Sequence, residues 1–162
     1  MLRPLLPVLP VALIAAFAWA GCMSPLPPSA RVSEAARDLN VNSRFGDVGS
    51  LTNFTAPAFQ QTFLSRRAQW GNMVRVVDVE LAGMTMKDSS HASVSVDFSW
   101  TRVDQGTLMT TRVAQEWEDD GGWKLVREKR ISGDIGLFGE PSPKPAEQAP
   151  RQDVQFATTV IR

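Results

Sequence analysis

The stretch HASVSVDFSWTRVDQGTLMTTRVAQEWEDDGGWKLVREKRIS, residues 91–132, decides the fold of this chain. Its first ten residues alternate between apolar and polar side chains, and the apolar set is Ala92, Val94, Val96, Phe98 and Trp100. Alternation is typical of a β-strand with one buried face, because successive side chains point to opposite sides of the sheet. Turn signals at Asp104 to Gly106 and at Asp120 to Gly122 divide the stretch into three segments. The stretch therefore predicts an antiparallel meander with strands at residues 91–104, 107–119 and 123–132.

The other two strands of this meander also have predicted inner faces. In the middle strand the alternation groups Met109, Thr111, Val113, Gln115 and Trp117. In the last strand it groups Trp123 with Leu125 and Arg127, and it places Glu128 on the opposite face.

A fourth strand precedes the meander. Residues 72–86, NMVRVVDVELAGMTM, alternate too, but the phase changes where Val76 and Val77 stand side by side. A change of phase within a strand indicates a β-bulge. Beyond it, Asp78 and Glu80 alternate with the apolar set, so we expect both carboxylates to face water.

Two helices are predicted before the strands. Residues 29–40, SARVSEAARDLN, have apolar side chains at helical spacing. Residues 56–70 begin with Pro57, which suits a helix start, and Gly71 ends them. Residues 41–55 predict a loop with a single helical turn. A sheet with one apolar face needs a cover, so the sequence predicts an α+β fold with N-terminal helices packed on a curved four-stranded antiparallel sheet.

The N-terminus reads MLRPLLPVLPVALIAAFAWAGC, with Arg3 as its one charged side chain. The uncharged, proline-free run at residues 11–21 is about the length of a signal-peptide core. As a helix it covers only about half of the hydrocarbon thickness of a bilayer. The sequence therefore predicts a cleaved leader rather than a permanent membrane-spanning anchor.

The end of the leader, Ala20-Gly21-Cys22, resembles the lipobox of bacterial lipoproteins. It departs from the usual form at Trp19, where leucine is most common. The resemblance implies cleavage before Cys22, a diacylglycerol on its sulfur and acylation, for example with palmitate, of the new N-terminus. Because Met23 rather than aspartate follows the cysteine, it also implies sorting to the outer membrane, facing the periplasm.

The chain is thus divided into four parts. We predict a signal peptide at residues 1–21, a proline-rich tether at residues 22–28, an α+β domain at residues 29–138 and a proline-rich, mostly disordered tail at residues 139–162. Ile135, Leu137 and Phe138, at the end of the domain, are expected to dock onto the sheet.

Four segments carry a second resemblance: the helix end FLSRRAQWG, the strand VRVVDVELAG, the alternating SVSVDFSWTRVD and the hairpin VAQEWEDDGGWKLVREK. Over residues 54–133 the chain resembles the NTF2-like superfamily, also described as SnoaL-like or cystatin-like, and in particular the small NTF2-like lipoproteins of bacteria. The resemblance implies a conical pocket between helix and sheet. Enzymes of the superfamily place an aspartate or histidine dyad inside that pocket.

The composition argues against several kinds of chemistry. Basic and acidic residues balance at 17 each, so no long-range field attracts nucleic acid. The single cysteine and the single histidine, His91, make no cluster of metal-ligand spacing and imply no cofactor. The candidates for a catalytic dyad are Asp78, Glu80, His91 and Asp97. Strand alternation turns the three carboxylates towards water and His91 begins a strand beside a turn, so we expect no catalytic residue and no enzyme.

Aromatic side chains are the best candidates for binding. They would gather between helix and sheet either as ordinary core or as the lining of a pocket for an apolar ligand: Phe59, Phe63, Trp70, Phe98, Trp100, Trp117 and Trp123. Thr101, Arg112 and Gln115 are candidates for polar contacts at its mouth.

These features predict a non-enzymatic envelope lipoprotein, anchored through lipid on Cys22. Its NTF2-like domain would bind a partner protein or support an envelope assembly. The alternative is a binding module for a small apolar ligand. A SnoaL-like isomerase or hydrolase is the third hypothesis.

Overall fold

The computed structural model describes residues 25–141. The signal peptide, Cys22 and all of the tail beyond residue 141 lie outside the described residues. The sheet has the order β1-β2-β3-β4 and is antiparallel throughout. The helices and strands are α1 Pro28–Asn42, α2 Pro57–Arg66, β1 Val74–Met86, β2 His91–Arg102, β3 Leu108–Asp119 and β4 Trp123–Gly133. The predicted α+β fold with a four-stranded antiparallel sheet is therefore confirmed.

The connection between the helices differs from the prediction. It forms two 3₁₀ helices, Ser43–Phe45 and Ser50–Phe54, where one helical turn was expected. The helix α2 ends at Arg66, four residues before the predicted end at Trp70, and turns occupy the gap. Within residues 25–141 no helix has both the length and the apolar character needed to cross a bilayer.

The predicted bulge in β1 is present. Val76 pairs with Trp100 and Asp78 pairs with Ser99, so Val77 is the extra residue. Because of it, Val76 and Val79 both lie on the face towards the helices. A second irregularity, between Leu81 and Gly83, was not predicted.

A bulge in β4 overturns the predicted faces of that strand. Trp117 pairs with Leu125 and Glu116 pairs with Arg127, which leaves Val126 as the extra residue. One extra residue reverses the alternation that follows it. Arg127 is therefore exposed and Glu128 is buried, the reverse of the prediction.

A pair of buried amides fastens α1 to the inner face of the sheet. Asn40 Nδ2 donates to Gln115 Oε1 at 2.9 Å, and Gln115 Nε2 donates to Asn40 Oδ1 at 2.9 Å. Asn40 Nδ2 also donates to the carbonyl of Ala36 at 2.7 Å. Around this pair α1 buries Val32 and Leu39, so its apolar stripe and its one buried amide both belong to the core.

The segment after β4 folds back across the end of β3. The backbone N–H of Thr110 donates to Asp134 Oδ2 at 2.7 Å, and Thr111 Oγ1 donates to the Asp134 carbonyl at 2.8 Å. Leu137 and Phe138 are then buried, as the sequence predicts. The turn depends on Gly133, whose φ is 85° and whose missing Cβ would lie 2.2 Å from the Thr110 carbonyl oxygen.

We predict that Gly133→Ala destabilises the domain by about 3 kcal/mol or more, because a left-handed φ and a backbone clash act together. Gly106→Ala is the matched control, since Gly106 also has a positive φ, 65°, but nothing lies within 4 Å of its added Cβ. The control should cost only about 1 kcal/mol. Urea unfolding of the two full-length variants measures both, and equal losses would contradict the clash.

Candidate functional site

The aromatic side chains predicted to line a pocket all lie between the helices and the sheet. Phe59 is half-buried and packs against the core, and the other six are at most 6% exposed: Phe63, Trp70, Phe98, Trp100, Trp117 and Trp123. Burial to this degree makes them part of the hydrophobic core.

These side chains are spread along the length of one hydrophobic core. Trp100 pairs with Met109 and Trp117 pairs with Ala92, so the two tryptophans lie eight residues apart along β3. That separation is about 27 Å at 3.4 Å per residue. The seven side chains therefore do not form one compact cluster, and their role as a ligand pocket stays a prediction.

One group of aromatic side chains surrounds Trp70. Its ring meets Phe98 edge to face at a centroid distance of 5.7 Å and stacks on Phe138 at 6.2 Å. Its indole Nε1 donates to the carbonyl of Leu137 at 2.7 Å. The segment after β4 thus closes this end of the helix–sheet layer.

A buried ion pair lies inside the same group. Arg67, just after α2, donates through Nη1 to Glu128 Oε1 and through Nη2 to Oε2 at 2.7 Å. Their side chains are 1% and 0% exposed. The guanidinium carbon lies 3.9 Å from the ring centroid of Phe63, 4.7 Å from that of Trp70 and 5.2 Å from that of Phe138. A bidentate pair with stacked rings is the arrangement that makes arginine tolerable in a core.

Arg66 strengthens the same connection between α2 and β4. Its Nη1 donates to the Glu128 carbonyl at 2.7 Å and lies 3.8 Å from Glu128 Oε1. Both oxygens of the Glu128 carboxylate already accept from Arg67, which holds the carboxylate as an ion-pair partner rather than leaving it as a base.

The sequence reasoning missed this pair because it carried the alternation of β4 past Val126. One signal for the bulge is present in the sequence: Leu125 and Val126 are two apolar residues side by side. The same signal at Val76 and Val77 gave the correct bulge in β1.

The carboxylates considered for catalysis lie on the face of the sheet away from the helices, as predicted. The Asp78 side chain is 68% exposed and lies 3.4 Å from Arg44. Glu80 is exposed and pairs across the strands with Asp97. No carboxylate of this set meets another group inside the helix–sheet layer of residues 25–141.

Arg112 does not lie at the mouth of a pocket, and that expectation is wrong. It donates to both oxygens of Asp97 at 2.6 Å on the outer face, because both residues belong to the outward set of their paired strands. This hydrogen bonding lowers the pKa of Asp97, with the positive charge of Arg112 adding to the effect.

Gln115 is buried against Asn40, and Thr101 is half-exposed beside Leu108, so the three predicted polar residues do not come together.

His91 is exposed at the β1–β2 turn, as predicted, but it has a carboxylate partner that the sequence reasoning did not find. Asp88 Oδ1 lies 2.9 Å from His91 Nδ1 and accepts from the backbone N–H groups of Ser90 and His91 at 2.7 and 2.8 Å. The backbone hydrogen bond from Ser90, followed by the bond with His91, lowers the pKa of Asp88 to about 2. Aspartate two or three residues before such N–H groups is a common turn cap.

An open cleft lies between α1, the second 3₁₀ helix and the β3–β4 turn. We call it the α1 cleft; its volume is about 300 Å³ and it is lined by Arg31, Glu34, Ala35, Asp38, Phe54, Gly122 and Trp123. The Arg31 guanidinium lies 2.8 Å from an Asp119 oxygen at its rim. Across residues 25–141 no group of three or more histidine, cysteine or carboxylate side chains is arranged to hold a metal ion.

Comparison with known proteins gives a fold and no family. No protein-family profile matches the chain, and no curated protein matches it in sequence. A putative Ca/calmodulin-dependent kinase II association domain from Exiguobacterium sibiricum is 11% identical with a TM-score of 0.55, covering 67% of this chain and 95% of that one. A SEC-C motif containing protein from Rhodopseudomonas palustris is 14% identical with a TM-score of 0.45, covering 62% of this chain and 74% of that one. At 11% identity the first likeness shows a shared fold alone.

We predict that Arg67→Met destabilises the domain by about 3–5 kcal/mol, because the buried Glu128 carboxylate loses both of its hydrogen bonds and keeps only Arg66, 3.8 Å away, as a counter-charge. The double variant R67M/E128L should recover most of that loss, since apolar replacement of a buried pair is often close to neutral. Urea unfolding of the full-length chain measures both variants. A double variant as unstable as the single one would show that packing, rather than the unpaired charge, sets the cost.

We also predict that Asp88 titrates near pH 2 in the folded protein. Its pKa is lower folded than unfolded, so its stabilising effect is complete above the unfolded value of about 4 and is lost as the pH falls towards 2. A carbon-13 NMR titration of the side-chain carboxyl groups measures the midpoint, and Asp88→Asn identifies the resonance. A midpoint near 4 would contradict the turn cap.

Proposed function

We propose that the chain is a non-enzymatic lipoprotein of the bacterial cell envelope, anchored through lipid on Cys22. Its domain belongs to the NTF2-like class and binds a partner protein or supports an envelope assembly. The class assignment is supported by the sequence resemblance over residues 54–133 and by the solved association domain with a TM-score of 0.55. The anchoring is supported by the leader and by Ala20-Gly21-Cys22.

One observation carries the choice of a protein-binding function over a pocket. The layer between α2 and the sheet, where an NTF2-like pocket would open, contains the Arg67–Glu128 ion pair with three aromatic rings around its guanidinium. An apolar ligand entering there would have to displace a desolvated ion pair, which costs several kcal/mol. The domain would therefore bind other molecules at its surface rather than in its interior.

The tether places those surfaces close to the membrane. Residues 22–28 extend to at most about 24 Å, and α1 begins at Pro28. Several acyl chains at about 0.8 kcal/mol per buried methylene keep such an anchor in place. A partner would therefore be met in the thin layer next to the bilayer, with α1 nearest to the attachment point.

Labelling with radioactive palmitate tests the anchor. We expect label in the wild-type chain and none in Cys22→Ala. Met23→Asp is the matched control: it should keep the label and move the protein from the outer to the inner membrane. Equal labelling of wild type and Cys22→Ala would contradict lipidation at this cysteine.

Site-specific photo-cross-linking in cells tests the partner. A cross-linking residue is introduced at one exposed position of the full chain at a time. We expect one envelope protein to be captured from adjacent positions and not from the others. No capture from any position, together with an apolar ligand retained in native mass spectrometry, would favour the ligand-binding alternative.

A further inference from the structure

The α1 cleft is acidic. Glu34 and Asp38 are exposed, lie one turn apart on α1 and both line the cleft. Within residues 25–141 neither carboxylate takes part in an ion pair, whereas the cation of Arg31 is matched by Asp119. Two carboxylates without a counter-charge therefore face a cleft whose one cation is already paired.

A neighbouring cleft contains the same two carboxylates and, in addition, the guanidinium of Arg37. It has a volume of about 460 Å³, shares Glu34 and Asp38 with the α1 cleft, and is completed by Leu26, Ala30, Ser33 and Arg37. The guanidinium of Arg37 repels a cation there. A positively charged group is therefore favoured on the side of the two carboxylates that faces the β3–β4 turn.

The rest of the α1 cleft is aromatic. Phe54 and Trp123 supply the apolar wall. Trp123 is 6% exposed, and its indole Nε1, which is itself buried, has no hydrogen-bond partner among the described residues. The ring of Trp123 is thus held by the core and presents a fixed apolar surface to the cleft.

We propose that the α1 cleft is a docking site for an arginine or lysine side chain of a partner polypeptide. The cation lies between Glu34 and Asp38, and its aliphatic stem packs on the rings of Phe54 and Trp123. This inference rests on the proposed protein-binding function and adds the chemistry of the partner.

The test uses the full-length chain in detergent with nitrogen-15 in its tryptophan side chains. The probe is the blocked tripeptide acetyl-Ala-Arg-Ala-amide, and acetyl-Ala-Gln-Ala-amide is its neutral match. We expect the arginine peptide to shift the indole N–H signal of Trp123 and to bind about fivefold more tightly than the glutamine peptide. The indole of Trp117, which also has no partner but does not line the cleft, should not move.

Variants of the cleft residues test whether the arginine peptide binds in the α1 cleft. E34Q/D38N should weaken the arginine peptide about fivefold, while E80Q/E118Q, two exposed carboxylates on the sheet, should leave its affinity unchanged. Phe54→Ala, followed through the indole N–H signal of Trp123, should weaken it by a similar factor, because it removes one ring of the aromatic wall. Equal responses to the arginine and glutamine peptides, or no shift at Trp123, would overturn the proposal.

Cross-linking separates this proposal from the function on which it rests. A photo-reactive residue at Asp38 should capture the envelope partner, and one at Glu118 should not. Capture at Glu118 alone would keep the protein-binding function and remove the α1 cleft as its site. No capture at any exposed position would count against both.

Discussion

The Arg67–Glu128 ion pair is the interaction on which the rest of this domain depends. It joins the end of α2 to β4 among buried aromatic rings, and the segment after β4 completes it by stacking Phe138 beside Trp70. Desolvating two charges is expensive, and only bidentate geometry with aromatic packing offsets that cost. The pair therefore penalises any arrangement in which the helix and the strand are shifted along each other.

The pair also depends on a local defect. Without the extra residue at Val126, strand alternation would carry Glu128 to the outer face with Lys124. The bulge is therefore what brings a carboxylate into the core, and the position of α2 follows from it. The amide pair between Asn40 and Gln115 plays a parallel part for α1, with neutral groups and without a bulge.

The sequence predicts the fold wherever the physical signal is local. The alternation of β2 has no interruption, and the glycine turns on either side of β3 leave no other connection than a hairpin. The bulge at Val77 was predicted from two adjacent valines, whereas the one at Val126 was not, although Leu125 and Val126 carry the same signal. The Arg67–Glu128 contact joins residues 61 positions apart. Nothing in the sequence around Arg67 indicates a contact with Glu128, or the reverse. The α1 cleft was not predicted for the same reason, because its walls come from three separate segments.

The bulges of β1 have a consequence for how copies of the domain behave beside one another. β1 is an outer strand of 13 residues, and a flat strand of that length presents a row of free peptide groups to which a second chain can add. The irregularities at Val77 and between Leu81 and Gly83 break that row into short pieces. Pairing of long outer strands between chains is a common route to aggregation. The interrupted β1 therefore makes it harder for two copies of the domain to join their sheets along this edge.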